Sequence, residues 1–377
     1  MVSIIAINPG STSTKLAICS VSENFRKQAC FDYHEVEKVD IINKNMSGIF
    51  QEELKERRKL VKDFIKSNSE KIGKVIAVTA RGGLLKPLKG GVYRVNKAMI
   101  DDLVSCRYGT HASNMGAPLA QEIADLYNVK AYIAYPVVVD EMDDIARYTG
   151  IPEIKRRSYF HALNQKTVAK MISEELEKNY EDLVLIIAHL GGGITVGLHA
   201  YGRVVDVNNG LDGDGPFSIE RAGGIPAGDL VRLCFCGRYT YEDIYEKIVQ
   251  KGGIYAYLGT KDAVLLEDII LEKAGSYRAI NPSFSKKKIK EVIDAWIYQV
   301  SKSICALACY TCGKVDAVIL TGGLAKFDYF VQEIKRRVSF LTKIYIVPGE
   351  EEMRGLCTCV LAALCGIEKI FLYRSER

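Results

Sequence analysis

Two short polar turns carry much of the chemistry legible in this chain. The apolar run Val184-Leu185-Ile186-Ile187-Ala188 ends in His189-Leu190-Gly191-Gly192-Gly193, and a β-like run, Ile194-Thr195-Val196, begins at once. The chain opens with the same layout: Ile4-Ile5-Ala6-Ile7, then Asn8-Pro9-Gly10-Ser11-Thr12-Ser13, then Lys15-Leu16-Ala17-Ile18. Aligning Asn8 with His189, 181 positions apart, puts strand on strand and Gly10 on Gly191. Glycines after a buried strand let the backbone approach a ligand and point N–H groups at anions. A third such turn, Thr321-Gly322-Gly323, follows the apolar run 315–320. Ser11, Thr12 and Ser13 add hydroxyl donors to the first turn, and Asn8 stands where it can orient a phosphate or a metal-bound water. Each turn alone also fits a tight hairpin or an N-cap. Three of them, two in duplicate positions, point to nucleotide binding. There is no GxxxxGK[ST] and no well-placed GxGxxG, which excludes a P-loop enzyme and a dinucleotide fold.

The elements that must hold these turns alternate along the chain. After the first hairpin a third strand is expected near Gln28–Tyr33. An amphipathic helix over 50–67 follows, with Phe50, Leu54, Val61, Phe64 and Ile65 on one side, and then a buried strand at 74–79 ending in Arg81-Gly82-Gly83. Short helices are expected at 98–106 and 117–127, a strand at 131–134 and a helix over 160–178, with His161 on it as packing. The second half repeats strand 184–188, strand 194–199 and strand 203–207. Helices follow near 228–235, 240–250 and 261–274, and a long one near 285–311 places Trp296 in the core. Strand 315–320, helix 328–338, strand 343–347 and helix 351–366 finish the chain. This order predicts an α/β protein with mixed sheets.

The bulk numbers narrow the classes. A chain of 377 residues suggests two domains, and 48% apolar with 26% charged residues is an ordinary globular balance. The net charge of +5 is small, and basic residues are scattered without interleaved aromatics, so no nucleic-acid partner is expected. The N-terminus reads as a strand, with no signal-peptide pattern, and no apolar run reaches the length of a membrane span. A cytoplasmic protein with no membrane partner is expected, its eleven cysteines reduced. Cys305, Cys309 and Cys312 fall at helical spacing as a core stripe, and the pairs Cys234/Cys236 and Cys357/Cys359 are read as small packing residues.

The segment INPGSTSTKLA at 7–17 resembles the N-terminal signature of the acetokinase family, and further segments match it in order. These are RGGLLKPLKGGVYRVN (81–96), THASNMGAPLA (110–120), PVVVDEM (136–142), SYFHALNQKTVAK (158–170), AHLGGGITVG (188–197), VVDVNNGLDGDGPFSIERAGGIP (204–226), GGIYAYLGTKDA (252–263) and LTGGLAKF (320–327). The asparagine-rich block at 206–217 is most similar to the butyrate kinases within that family. The resemblance covers essentially the whole chain. It implies two actin-like (ribonuclease H-like) domains with mixed sheets flanked by helices and an active site in the interdomain cleft. Residues 1–150 would form the N-terminal domain, with a helix over 354–377 packing back on it, and residues 151–353 the nucleotide-binding domain. It implies a short-chain fatty acid and ATP (or ADP) as substrates, a magnesium ion, and a homo-oligomer of at least two copies.

The resemblance also assigns residues. Arg81 and Arg221 face the transferred group, with Arg81 and His111 on the acid side. His189 donates to the phosphoryl oxygens in the transition state. Asn8, Ser11 and Ser13 sit near the transferred phosphate; Gly191, Gly192 and Gly193 cradle the ATP phosphates; Thr321, Gly322 and Gly323 meet the adenosine. Asn8 and Glu352 belong to the magnesium site. The bland readings are a turn brace for an arginine before two glycines, a structural histidine for His189, an N-cap role for His111 and a helix first-turn acid for Glu352.

The sequence departs from the family pattern where an Asp-Pro commonly precedes Val-Val-Val-Asp: here the residue is Tyr135. A phenol is no substitute for a carboxylate on a hard cation. Asp140, Glu141 or water would have to compensate, or activity is weakened. Glu350-Glu351-Glu352-Met353 replaces a common Ser-Asn-Glu-Glu, and Ala222 stands where serine often follows the arginine. The competing functions are kinases for branched-chain acids, propionate or acetate, and a catalytically weakened nucleotide-binding regulator.

Overall fold

The structure, a computed structural model, describes residues 2–10, 13–21, 33–42, 49–273 and 285–376. The expected site residue Ser11, with its neighbour Thr12, lies outside them, as does most of the strand expected near 28–33. The chain divides into two compact units. Unit 1 comprises Met1–Val139, Ala162–Thr167 and Glu351–Arg377; unit 2 comprises Asp140–His161 and Val168–Glu350.

Unit 1 is built on seven strands: β1 (Val2–Pro9), β2 (Ser13–Val21), β3 (Tyr33–Ile42), β4 (Lys74–Arg81), β5 (Val92–Arg94), β6 (Lys130–Ala134) and β12 (Ile370–Leu372). Their order in the sheet is β12-β5-β6-β4-β1-β2-β3. The run of apolar residues along β1 reflects its position: it is a central strand, buried from end to end. Its helices are α1 (Phe50–Ser67), α2 (Lys97–Val104), α3 (Gly116–Leu126), the first residues of α4 (Ala162–Glu175) and α11 (Glu352–Leu364). α3 packs on β4 and β6, and α11 on β1, β4 and β6.

Unit 2 holds a five-stranded sheet of β7 (Val184–Leu190), β8 (Ile194–Ala200), β9 (Arg203–Val207), β10 (Ala317–Gly322) and β11 (Ile344–Pro348), in the order β11-β10-β7-β8-β9. Alternation along β7 and β10 sorts the two faces. Ile186, Ala188, Val318 and Leu320 join a large core with Ile293, Trp296, Phe330 and Ile334, while Leu185, Ile187, Ala317 and Ile319 join a smaller one with Val168, Ala169 and Ile172. The remaining helices are α5 (Ala227–Cys234), α6 (Tyr241–Val249), α7 (Gly253–Leu258), α8 (Ala263–Ile270), α9 (Lys286–Leu307) and α10 (Asp328–Val338).

The duplication legible in the sequence is a duplication of topology. The order β6-β4-β1-β2-β3 in unit 1 matches β11-β10-β7-β8-β9 in unit 2. In both, the hairpin and the third strand pair antiparallel, and the two strands on the other side pair parallel. Even the register shift recurs, between Ile18 and Cys19 in β2 and between Leu198 and His199 in β8.

Several expectations change. The last helix does not run to residue 377. It stops at Leu364, where Gly366 takes φ +78° and the Ile367 amide closes onto the Ala362 carbonyl at 2.9 Å. The chain then adds β12 beside β5, both too short to show a pattern. The cysteine stripe is not a core stripe: Cys305 is half-buried, but Cys309 and Cys312 are exposed. The regular helix ends at Leu307 and continues as a tighter 3₁₀ turn over Ala308–Thr311, so helical spacing no longer predicts the face. Cys234 and Cys236 are likewise exposed, whereas Cys357 and Cys359 are buried. His161 precedes α4 instead of lying on it. Among the described residues no helix is long and apolar enough to cross a membrane.

Trp296 is fully buried, packed edge-on against Phe330 with centroids 5.1 Å apart, and among the described residues its indole N–H has no hydrogen-bond partner. Truncation to alanine should cost about 3–5 kcal/mol. Trp296→Phe keeps an aromatic ring and removes the unsatisfied donor, so its loss should be about 1 kcal/mol. Urea unfolding followed by circular dichroism measures both, and equal losses would contradict the assignment.

Candidate active site

In unit 1 the parallel pairing of β1 with β4 brings two strand ends together, Ile7 opposite Ala80. Asn8 and Arg81 follow at those ends, and Glu352 opens α11. Asn8 Nδ2 donates to Glu352 Oε2 at 2.7 Å, and Arg81 donates to the same oxygen at 3.1 Å. Glu352 is buried, at an N-terminus whose free N–H groups favour its charge. Glu351 is half-buried and Glu350 exposed, so Glu352 is the acid of that run held against Asn8. Among the described residues, Asn8 Oδ1 is buried with no hydrogen-bond partner.

The Arg81 turn is stapled from the other side. Asn114, fully buried, accepts from the Leu84 amide at 2.7 Å and donates to the Gly109 carbonyl at 2.9 Å. Gly116 lets α3 close on the Arg81 backbone: a Cβ there would stand 2.2 Å from the Arg81 carbonyl oxygen. His111, in the same segment, has its Nδ1 2.6 Å from the Ser113 hydroxyl and accepts from the Ser113 amide at 3.2 Å. It therefore serves the N-cap role. Ser13 begins β2, and its carbonyl receives the Gly10 amide at 2.8 Å.

In unit 2 His189 and Thr321 are register partners on β7 and β10, so two of the predicted turns leave the sheet side by side. Gly322 has φ +91°, and a Cβ there would lie 2.4 Å from the Leu190 carbonyl oxygen, so the position needs glycine. Gly322 and Gly349 exchange both backbone hydrogen bonds, at 3.0 and 2.9 Å, and the Thr321 hydroxyl reaches the Gly349 carbonyl at 3.4 Å. Nothing lies within 4 Å of the Cβ direction at Gly323, which opens to space.

The 191–193 turn meets Arg221. Ser218 joins them: its hydroxyl donates to the Gly192 carbonyl at 2.5 Å and accepts from the Arg221 amide at 3.1 Å. The Arg221 guanidinium donates to the Gly210 carbonyl and passes so close to Gly193 that a Cβ there would fall 2.3 Å from it. Burial pushes the Arg221 pKa down, against the pull of Glu220 and Asp212. Among the described residues its Nε is buried with no hydrogen-bond partner. The asparagine-rich block braces this region: Asn208 accepts from the Val196 amide at 2.7 Å and donates to the Ile194 carbonyl at 3.0 Å.

The profile of the acetokinase family matches residues 146–342. A Clostridium acetobutylicum protein described as butyrate kinase 2 is 45% identical over 371 residues, covering 98% of this chain and 99% of the relative. The chain belongs to the acetokinase family. Butyrate kinase 1 of the same organism is 43% identical, covering 99% of this chain and all of the relative. Among solved structures, Porphyromonas gingivalis acetate kinase superposes with TM-score 0.70 at 17% identity, covering 96% of this chain and 100% of that one. A Francisella tularensis propionate kinase gives 0.71 at 18%, covering 94% and 98%. At these identities the likeness establishes the fold, and the actin-like architecture expected from the sequence stands.

Tyr135, the departure from the family pattern, is buried at φ +40°, with its hydroxyl 3.3 Å from Glu368. The acids weighed as substitutes have other partners. Asp140 is held by Arg147 at 2.6 and 2.8 Å, and Glu141 accepts from the Val204 amide at 2.9 Å. Among the described residues no group of three or more His, Cys, Asp or Glu is placed to hold a metal. The orphaned Asn8 Oδ1 beside the Glu352 carboxylate nonetheless fits a hard divalent cation that takes most of its ligands from water and phosphate.

Two residues escaped the sequence reading. One is His161, whose ring lies on that of His189. The other is Arg57, on the buried side of α1, donating to the Thr14 hydroxyl at 2.7 Å and to the Gly10 carbonyl at 2.8 Å. Its place between Leu54 and Val61, at spacings of three and four, was the available signal. Arg57→Met keeps much of the volume but removes the hydrogen bonds to the Gly10 carbonyl and the Thr14 hydroxyl. It should destabilise the protein by about 2–3 kcal/mol in a thermal or urea melt; a melt within ~0.5 kcal/mol of the parent would deny Arg57 its role in holding the first turn.

Proposed function

We propose that this protein is a butyrate kinase. It transfers the terminal phosphoryl group of ATP to the carboxylate of butanoate, giving ADP and butanoyl phosphate, by direct in-line displacement. Two full-length relatives named as butyrate kinases support the choice of acid. The observation that carries the phosphoryl-transfer reading is Arg221: a buried guanidinium with an unpartnered Nε, set against the glycine turn at 191–193.

The nucleophile, a carboxylate, is already ionised at neutral pH. No general base is needed, and the task left to the protein is to position two anions and to stabilise charge on the moving group. Arg221 supplies that charge through a planar fork that suits phosphoryl and carboxylate oxygens alike. Arg81 and His111 bind the acid, Arg81 also facing the transferred group. His189 donates to the phosphoryl oxygens, and the backbone N–H groups of Gly191, Gly192 and Gly193 hold the ATP phosphates. Thr321, Gly322 and Gly323 receive the adenosine, the open side of Gly323 leaving room for it. Asn8 and Ser13 contact the transferred phosphate. Asn8 and Glu352 would hold the magnesium ion, which when bound neutralises phosphate charge. The acetokinase resemblance supports a cytoplasmic homo-oligomer of at least two copies.

Trapping acyl phosphate as hydroxamate tests the assignment. Butanoate should give the highest kcat/KM among butanoate, isobutyrate, propionate and acetate. Preference for another acid would change the substrate, and no acyl phosphate from any of them in ATP-binding protein would remove the kinase reading. Arg221→Ala should lower kcat by about a hundredfold or more with little change in Tm. A variant that turns over at near the parent rate would refute its role.

A further inference from the structure

His161 has no part in the site proposed above, yet its ring is stacked on the histidine that does. The two imidazole centroids are 3.7 Å apart and the planes 13° from parallel. His161 Nδ1 is 2.9 Å from the Thr195 hydroxyl. Thr195 is the residue opposite His189 across the β7–β8 hairpin. The three side chains close a triangle: a strand-end histidine, its cross-strand neighbour, and a ring that touches the first and hydrogen-bonds to the second. All three belong to unit 2.

The arrangement acts on one degree of freedom. Strand pairing fixes the His189 backbone, while the plane of the imidazole is set about its last side-chain bond, a broad and soft torsion. A flat ring against one face favours a single plane, because a turned imidazole would lose that contact. In this plane Nε2 lies beside the glycine turn, 3.2 Å from where a Cβ of Gly191 would be. A group that must meet a moving phosphoryl oxygen gains from such fixing, since misplacement by about 1 Å is costly in rate.

We propose that His161 is a positioning residue, holding the plane of His189 so that Nε2 stays over the glycine turn, with the Thr195 hydroxyl anchoring His161 in turn. This rests on the reading that His189 contacts the transferring phosphoryl group. The contribution belongs to the chemical step, so kcat should respond and substrate binding should not.

Kinetics of full-length His161→Ala, His161→Phe, His161→Gln, His189→Ala and the double His161→Ala/His189→Ala variant test it, with circular dichroism confirming folding. His161→Ala should lower kcat about tenfold, with KM for ATP and for butanoate changed less than about threefold. His161→Phe restores a flat ring and should return to within about threefold of the parent, whereas His161→Gln keeps only hydrogen bonding and should stay low. In the His189→Ala background, losing His161 should change kcat less than about twofold, because the group it positions is gone. A near-parent kcat in folded His161→Ala overturns the proposal, as do losses that multiply in the double variant. If His161→Ala fails to fold, the order of His161→Phe and His161→Gln decides: glutamine equal to or better than phenylalanine overturns it. A near-parent kcat in His189→Ala defeats the reading of His189 itself, whereas a large loss there with none in His161→Ala defeats only the positioning role.

Discussion

Close approach of backbone at the ends of parallel strands is the constraint on which the rest of the site depends. β10 runs parallel to β7 with Thr321 opposite His189, so their ends leave the sheet together. They do so only because Gly322 has no side chain to strike the Leu190 carbonyl. In unit 1 the corresponding relief is at Gly116, where α3 closes on the Arg81 carbonyl. Gly193 gives way in the same manner to a side chain, the Arg221 guanidinium. Each glycine converts a steric exclusion into a place where polar groups converge at a strand end. A parallel sheet supplies such ends in a row, which is why ligand sites in open α/β sheets favour that edge.

The charges held there are treated in two opposite ways. Arg81 is matched at once by Glu352, and the same carboxylate oxygen also takes the Asn8 amide. Burial of a charge is tolerable when it is paired and hydrogen-bonded. Arg221 has no such carboxylate contact. Among the described residues its guanidinium donates to a carbonyl, its Nε has no partner, and burial lowers its pKa while Glu220 and Asp212 act only through space. A desolvated cation left short of partners is poorly stabilised until an anion arrives. For a reaction whose nucleophile needs no deprotonation, that is the useful asymmetry: the protein's contribution lies in charge fixed before the substrates bind.

How much of this was legible in the sequence depends on the type of signal. The hairpins and their glycine turns could be read because apolar runs bounded by glycine have few alternative structures, and the duplicate layout carried over into the order of the two sheets. Asn8 and Glu352, far apart in sequence, became partners on the resemblance alone; no local pattern links them. Arg57 was hidden because its charge argued for solvent while its spacing argued for the core, and the spacing was right. His161 was hidden by position: standing one residue before a helix, it falls outside the helical pattern, and its ring reaches His189. Strands of three residues such as β5 and β12 carry no period at all. The Cys309 and Cys312 reading failed where a regular helix tightened at Ala308, ending the spacing that had been extrapolated through it.

Tyr135 is where resemblance and structure pull apart. Its φ of +40° suits an aspartate or asparagine better than a tyrosine, so an aromatic side chain here carries a backbone cost. Burial of the ring, the hydroxyl contact to Glu368 and the Lys166 ammonium 5.8 Å from the ring centroid offset it. The tyrosine is thus part of the packing of unit 1, and a neutral phenol does nothing for a hard cation. Asp140 and Glu141 are occupied elsewhere, which leaves Glu352 as the carboxylate placed against Asn8 among the described residues. On the proposed reading one carboxylate then balances both Arg81 and a divalent ion. That is a light charge for a resident metal site, but a sufficient one for an ion that arrives with its nucleotide. Magnesium keeps several waters and draws the rest of its ligands largely from phosphate, so the negative charge missing at Tyr135 is charge that the substrate itself brings.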